Sequence, residues 1–202
     1  MKTIKLENQS ITPSKIVCVG RNYIEHIKEL NNEIPENMVL FNKPNSAISS
    51  ELCFFENTRF EGEICFLIEN NQISGVGFGF DLTKVDTQNY LKSKGLPSER
   101  AKAFNKSAVF SEFVELEGDI KDIEMKLYKN DTLIQNATYE LMIYKPHQII
   151  DEILTFMNLE DGDIIMSGTP KGVGFYQKGD IFKAQIFLKD NIILEKTFQV
   201  KG

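Results

Sequence analysis

The segment RFEGEICFLIE, residues 59–69, decides the fold and contains a contradiction. Its run of apolar residues predicts a β-strand buried on both faces, yet Glu61 and Glu63 lie inside the run. Side chains two positions apart on a strand point the same way, so both carboxylates share a face with Cys65. Two buried negative charges repel each other and lose their hydration. Either a cation binds between them, or Arg or Lys pairs with them, or the strand is less buried than it reads.

A third acidic residue, Asp81, follows the glycine-rich apolar segment GVGFGF at residues 75–80. A carboxylate at the end of an apolar strand is again energetically unfavourable unless a cation or a hydrogen-bond donor lies beside it. Three carboxylates would suit a hard divalent ion such as Mg²⁺, which prefers oxygen ligands in an octahedron. The three acids are therefore a candidate metal site. Solvent-facing or salt-bridged glutamates are the ordinary alternative.

The rest of the chain reads mainly as strands with single helices between them. The pattern predicts strands at TIKL (3–6), KIVCVG (15–20), MVLFNKP (38–44), ISGVGFGFDLT (73–83) and IIMSG (164–168), and a hairpin of IEMKLY (123–128) and TLIQNATY (132–139) around KND. It predicts helices at YIEHIKELNN (23–32), VDTQNYLKSKG (85–95) and PHQIIDEILTFMN (146–158). Because helices do not alternate with strands, the predicted class is α+β with a mixed or mostly antiparallel sheet.

Composition excludes several classes of function. With 202 residues and 42% hydrophobic content, the chain can fill one core, and the absence of repeats or linkers predicts a single domain over residues 1–202. The net charge of −6, without a basic cluster, argues against a nucleic-acid partner. Three cysteines without CxxC spacing argue against a disulfide framework or thiolate zinc site. No signal peptide or membrane-length apolar run is visible, so we expect a cytoplasmic protein that does not bind membranes.

A second candidate constellation is His26 with Glu29. The two residues lie three apart on a predicted helix and so share a face, where the carboxylate could orient the imidazole and raise its basicity. An exposed helix carrying solvated charges is the ordinary alternative. The other histidine, His147, lies at the start of a helix after Pro146, which favours a cap or surface role.

Six segments, in order along the chain, resemble motifs of the fumarylacetoacetate hydrolase family, in particular its short acylpyruvase and oxaloacetate decarboxylase branch. The segments are KIVCVGRNYIEHIKEL (15–30), VLFNKPNSAI (39–48), FEGEICFLIE (60–69), GFGFDLTKVDTQ (77–88), AKAFNKSAVF (101–110) and DGDIIMSGTPKGVGFYQKGD (161–180). Each motif alone is weak, but six in order are specific. The resemblance implies a mixed β-sheet roll or barrel with a few short helices, and a homodimer.

The resemblance also implies roles for individual residues. Glu61, Glu63 and Asp81 would bind Mg²⁺ or Mn²⁺. His26 would be the general base, oriented by Glu29 on a segment that closes over the substrate as a lid. The residues implied to contact the substrate or stabilise its negative charge are Lys102, Gln88, Arg21, Lys43 and Thr169.

One departure from the family pattern concerns a charged donor. The segment DLTKVDTQ, residues 81–88, has Val85 where the family has an arginine. Losing one donor from an oxyanion hole can lower the rate by about 10² or more. Arg21 or Lys84 could compensate.

These parts predict a metal-dependent enzyme that acts on a small 2-oxo or 1,3-diketo acid. The primary prediction is hydrolysis of a carbon–carbon bond in an acylpyruvate, with His26 activating water. The alternatives on the same site are oxaloacetate decarboxylation, keto–enol tautomerisation and 2-hydroxy-dienoate isomerisation, since all need an enolate to be stabilised. A non-enzymatic alternative is a degenerate family member that binds metal and acid without turnover.

Overall fold

The computed structural model describes all 202 residues and contains sixteen β-strands and four short α-helices. The strands are β1 (Ile4–Leu6), β2 (Gln9–Ile11), β3 (Lys15–Gly20), β4 (Val39–Pro44), β5 (Ile48–Ser49), β6 (Thr58–Phe60), β7 (Gly62–Glu69), β8 (Gln72–Asp81), β9 (Thr83–Lys84), β10 (Ala108–Glu115), β11 (Ile123–Lys129), β12 (Thr132–Thr138), β13 (Ile164–Met166), β14 (Gly174–Phe175), β15 (Ile181–Leu188) and β16 (Asn191–Gln199). The helices are α1 (Ile24–Glu29), α2 (Val85–Ser93), α3 (Glu99–Lys102) and α4 (Pro146–Leu154). The predicted α+β class is confirmed.

The largest sheet has nine strands and is mixed. Its order is β2-β1-β10-β8-β7-β13-β3-β4, with β5 paired to β10. The pairs β1–β10, β5–β10 and β3–β13 are parallel and the others are antiparallel. An antiparallel four-stranded sheet has the order β12-β11-β15-β16, and β14-β6-β9 form a small third sheet. The mixed sheet agrees with the sequence prediction.

Strand β7 lies in the middle of the large sheet and is buried on both faces, as its sequence predicts. Ile64, Phe66 and Ile68 belong to a core cluster of 31 buried residues, whereas Cys65 and Leu67 belong to a second cluster of 12. Alternate side chains of one strand therefore fill two separate apolar layers. This position leaves little solvent to stabilise any charge on the strand.

The glycines of β8 make room for aromatic rings on β10. A Cβ atom on Gly77 would lie 2.9 Å from the ring of Phe113, and one on Gly79 would lie 2.6 Å from Cys65 Sγ and 2.9 Å from Phe110. Such contacts are shorter than van der Waals packing allows, so a larger residue would push the strands apart. The glycine-rich pattern of this strand thus reflects close packing.

The structure has four helices where the sequence predicts three, and each predicted helix is shorter in the structure. The predicted helix 23–32 is reduced to α1, and α3 was not predicted. The predicted hairpin is present as β11 and β12, with Asn130 and Asp131 in left-handed conformations at the turn. The sequence does not predict six of the strands, namely β2, β5, β10, β14, β15 and β16. No helix has both the length and the apolar character that a membrane crossing needs.

Candidate metal centre and adjoining cavity

Three buried carboxylates meet where β7 and β8 pair. Glu61 directly precedes β7, Glu63 lies on it, and Asp81 ends β8. The antiparallel pairing places the end of β8 beside the start of β7, and the Asp81 N–H donates to the Glu61 carbonyl at 2.9 Å. One oxygen from each of the three side chains lies within 4.8 Å of the others. The structure thus brings together the three acids that the sequence singled out.

Cations surround two of these acids. Lys102 Nζ lies 2.7 Å from Glu61 Oε2 and 2.5 Å from Asp81 Oδ2. Arg59 donates from Nε and Nη2 to Glu61 Oε1, at 3.0 and 2.7 Å. Burial raises the pKa of Glu61, but the positive charges of Lys102 and Arg59 outweigh burial and hold the pKa well below its usual range. Glu61 is therefore ionised at neutral pH.

Glu63 has no such partner. Its Oε2 accepts a hydrogen bond from the Gly168 N–H at 2.7 Å. Burial raises its pKa, and the negative charges of Asp81 and Glu61 raise it further. A carboxylate that is buried beside two others without a cation of its own is costly.

The residues present fit a hard divalent cation. All three side chains offer oxygen donors, which Mg²⁺ and Mn²⁺ prefer. Asp81 Oδ1 has no hydrogen bond, although Lys43 Nζ lies 2.9 Å away outside hydrogen-bond geometry. Asp81 Oδ1 and the Glu63 carboxylate therefore have lone pairs that can coordinate a cation. No other cluster of three such side chains is present.

His26 lies on α1, and its ring is held at one nitrogen. Nδ1 is 3.2 Å from Glu29 Oε2, and Glu29 Oε1 accepts from the Gly172 N–H at 3.0 Å. When Nδ1 carries the proton and donates it to Glu29, Nε2 is left as the basic nitrogen. Burial lowers the pKa of His26, and Glu61 and Glu29 only partly oppose this shift. The imidazole is therefore mainly neutral at pH 7.

A cavity of about 220 Å³ adjoins the carboxylates. His26, Glu61, Gln88 and Lys102 line it, together with Arg21, Arg59, Lys92, Ser98, Asn32, Gly20, Leu30, Val39, Leu40 and Phe41. The volume is below the range of about 300–1,000 Å³ typical of pockets for drug-sized ligands, so it suits a small acid. Larger surface grooves, such as that beside His147, lie away from the carboxylate cluster.

Two residues predicted to contact the substrate lie elsewhere. Lys43 is fully buried, and Nζ donates to the Lys102 and Ser107 carbonyl groups beside Asp81. Thr169 is buried, with its hydroxyl donating to the Gly62 carbonyl at 2.9 Å and accepting from Gln135. Neither lines the cavity, because each side chain is already committed to the protein interior. Their positions favour supporting roles over the predicted substrate contact.

Arg59 and Lys92 line the cavity, although the sequence alone did not predict either as a site residue. Arg59 lies on β6 opposite Thr83, and its side chain is 13% exposed. It lines the cavity, whereas Val85 does not. Lys84 does not reach the cavity either, since its ammonium packs 4.6 Å from the centre of the Phe104 ring. The sequence contains a signal for Arg59. It precedes Glu61 by two positions in an extended segment, so the two side chains point to the same face and can form an ion pair.

Comparisons with known proteins agree with this arrangement. The sequence model of the fumarylacetoacetate (FAA) hydrolase C-terminal family matches residues 15–199. Oxaloacetate tautomerase YcgM of Escherichia coli (strain K12) is 37% identical over 187 residues, which cover 83% of this chain and 85% of that protein. The mitochondrial oxaloacetate tautomerase FAHD1 of Homo sapiens is 33% identical over 205 residues, with 92% and 91% coverage.

The fold is also similar to solved structures. The crystal structure of a candidate fumarylacetoacetate isomerase/hydrolase from Oleispira antarctica superposes with a TM-score of 0.92 at 34% sequence identity. The superposition covers 99% of this chain and 100% of that chain. The similarity thus extends over the whole arrangement of sheets and helices.

Proposed function

Because the chain belongs to the fumarylacetoacetate hydrolase family, we propose that it catalyses keto–enol tautomerisation of oxaloacetate, with a divalent cation held by Glu61, Glu63 and Asp81. The observation that carries the proposal is a mainly neutral His26 lining the same small cavity as Glu61 and Lys102. Proton transfer beside a carbonyl group needs a base and a nearby positive charge. The oxaloacetate tautomerases among the relatives support this substrate.

The three acids would hold Mg²⁺ or Mn²⁺, and both ions suit the all-oxygen donor set. A divalent cation bound there would polarise the 2-oxo group of the substrate and lower the energy of negative charge on its oxygen. The remaining work falls to side chains of this chain.

His26 would act as the proton carrier. Nε2 takes a proton from the methylene carbon of oxaloacetate, and Glu29 stabilises the resulting imidazolium through Nδ1. The imidazolium then returns the proton to the 2-oxygen of the substrate, which completes the keto-to-enol step. Lys102 and Gln88 line the same cavity and would donate hydrogen bonds that stabilise the developing negative charge.

Tautomerisation requires fewer catalytic steps from this site than acylpyruvate hydrolysis, the primary prediction from the sequence. Hydrolysis of an acylpyruvate needs His26 to activate a water molecule as well as an enolate to be stabilised. The relatives named as oxaloacetate tautomerases favour the alternative prediction over hydrolysis. The His26–Glu29 pair beside a formed cavity favours an enzyme over a degenerate binding protein.

The test is to add purified protein to oxaloacetate and follow the enol absorbance in the presence of Mg²⁺, Mn²⁺ or EDTA. We expect equilibration between keto and enol forms to be faster than with the metal ion alone, and to slow in EDTA. Pyruvate is measured in parallel with lactate dehydrogenase, because decarboxylation also removes the enol. Acetylpyruvate is the substrate for testing hydrolysis.

The matched control is a Glu61→Gln, Glu63→Gln double variant, which keeps side-chain size but removes two charges. We expect calorimetry to show Mn²⁺ binding by the wild type and none by the double variant. Equal Mn²⁺ binding by both proteins would exclude the metal site. Wild-type protein that binds Mn²⁺ but leaves the enol equilibration unchanged would exclude the tautomerase function.

A further inference from the structure

The cavity beside the carboxylates is strongly cationic. Four of its 14 lining residues are basic, namely Arg21, Arg59, Lys92 and Lys102, whereas Glu61 is the one acid among them. Clustered like charges repel each other in a partly desolvated space, so such a cavity favours an anionic occupant.

The four basic residues differ in whether an acidic side chain neutralises their positive charge. Lys102 and Arg59 are ion-paired with the acids described above. Arg21 donates only to the backbone carbonyl of Glu33, at 3.3 Å, and forms no ion pair. Lys92 lies at the exposed rim, and its ammonium group forms no hydrogen bond or ion pair. Burial lowers the pKa of Lys92, and the positive charges of Arg21 and Arg59 lower it further. Two positive charges therefore face the cavity without an anionic partner.

The backbone holds Arg21 in an unfavourable conformation. Its φ of 59° lies in the left-handed region, which is uncommon for residues other than glycine, asparagine and aspartate. The next residue, Asn22, fixes the turn, because its amide donates to the Tyr144 and Ser167 carbonyls and its Oδ1 accepts from the Tyr144 N–H. An arginine in this conformation at the wall of the cavity fits a role for its side chain there.

We propose that Arg21 and Lys92 form a subsite for the distal carboxylate of a dicarboxylic 2-oxo acid. This inference rests on the proposed function and specifies its substrate class. The 2-oxo end of the substrate would lie toward Glu61, and the rim would then meet the other end. Oxaloacetate carries a second carboxylate there, whereas an acylpyruvate carries an uncharged group. The subsite selects dianions over monoanions.

The test compares Arg21→Gln and Lys92→Gln variants on oxaloacetate and on its 4-methyl ester, which lacks the distal charge. We expect each variant to raise KM for oxaloacetate roughly tenfold more than it raises KM for the ester, because only oxaloacetate carries the distal carboxylate. Lys94→Gln is the matched control, since Lys94 is exposed at the end of the same helix and does not line the cavity.

Binding is measured separately from turnover by calorimetry with 3,3-difluorooxaloacetate, a dicarboxylate that cannot enolise, and with pyruvate as the monoanion. We expect the wild type to prefer the dicarboxylate and both variants to lose that preference. Variants that keep the wild-type preference, or a wild type that has none, would overturn the subsite. A wild type that shows the preference without accelerating tautomerisation would instead overturn the proposed function.

Discussion

Glu63 is the least compensated charge in the candidate site. Glu61 and Asp81 each contact ammonium or guanidinium groups, whereas Glu63 has only the Gly168 N–H among the contacts of its carboxylate. Removing an ionised carboxylate from water costs several kcal/mol, and one backbone hydrogen bond offsets about 1.5–3 kcal/mol of that. A bound cation would therefore stabilise the Glu63 carboxylate more than it would stabilise Glu61 or Asp81, which already contact positive charges.

Removing the imidazole tests the predicted base. We expect His26→Ala to lower kcat for oxaloacetate tautomerisation by about 10²–10⁴, the usual contribution of a positioned acid–base group, without changing Mn²⁺ affinity. Glu29→Gln should lower kcat less, because the imidazole stays in place. His147→Ala is the control, since this exposed histidine lines a different groove. A His26→Ala enzyme within a few-fold of wild type would remove His26 from the mechanism.

The pH dependence follows from the same residue. Burial lowers the pKa of His26, Glu61 and then Glu29 raise it, and the net shift is downward. Activity should therefore fall on the acidic side with an apparent pKa below the ordinary histidine value of about 6.5. Glu29→Gln removes a raising influence, so the acidic limb of kcat/KM against pH should move to still lower pH. A shift of that limb to higher pH would contradict the assignment.

At the scale of elements, the site depends on contacts that join distant segments. The β7–β8 pairing aligns Asp81 with Glu61, and Glu29 on α1 accepts from the Gly172 N–H in the loop after β13. The second contact ties the helix that carries His26 to the C-terminal glycine-rich segment. Because α1 has six residues, tertiary contacts of this kind must hold it in place.

Asp163 connects the start of β3 to the turn before β13. Its fully buried carboxylate accepts from the backbone and hydroxyl of Ser14, from the Lys15 N–H and ammonium, and from the Glu160 N–H. We expect Asp163→Asn to lower the free energy of unfolding by about 2–3 kcal/mol at pH 7, measured by urea denaturation. Glu160→Gln also removes one negative charge, but at an exposed side chain, and should have little effect on the free energy of unfolding.

The sign of the pH effect is fixed by the pKa shift of Asp163. Burial raises the pKa of Asp163, but the hydrogen bonds from Lys15, Glu160 and Ser14 lower it by a larger amount, so the net shift is downward. Its stabilisation is therefore present above the unfolded value of about 3.9 and is lost as the pH falls through the folded value. The difference between wild type and Asp163→Asn should shrink in that acidic range. Equal stability of the Asp163→Asn and Glu160→Gln proteins at pH 7 would disprove the role.

At the scale of the whole molecule, the cavity has the opposite sign to the chain. The net charge is −6, yet the cavity wall carries four basic side chains and one acidic. A positive recess in a negative surface attracts small anions to one place while repelling them elsewhere. This contrast is consistent with a small dicarboxylate as substrate.

The sheet edges predict a second copy of the chain. Strands β2 and β4 end the large sheet, and β12 and β16 end the four-stranded sheet, so each has a strand partner on one side only. Unprotected edges are commonly covered by association. We expect light scattering at micromolar concentration to give a mass twice the 23.1 kDa of one chain. A mass of one chain at every concentration would rule out the homodimer.

The sequence by itself determined which residues of one strand or helix lie on the same face, because that depends only on their spacing. The two-residue period of a strand predicted that Glu61 and Glu63 share a face with Cys65, and six motifs in order resembled those of the family. Spacing of three residues on a helix also predicted the contact between His26 and Glu29, which the structure contains. Period-two and helical patterns act over a few residues, so the chain order carries them directly.

Only the tertiary structure decided how the charges are compensated. Lys102 reaches Glu61 across 41 residues of sequence, and the Gly168 N–H reaches Glu63 across 105. The fold also places Lys43 behind Asp81 and leaves Arg21 and Lys92 unpaired at the cavity rim. No local pattern encodes such pairs, because they depend on which strands become neighbours in the sheets and on how much water remains between their side chains.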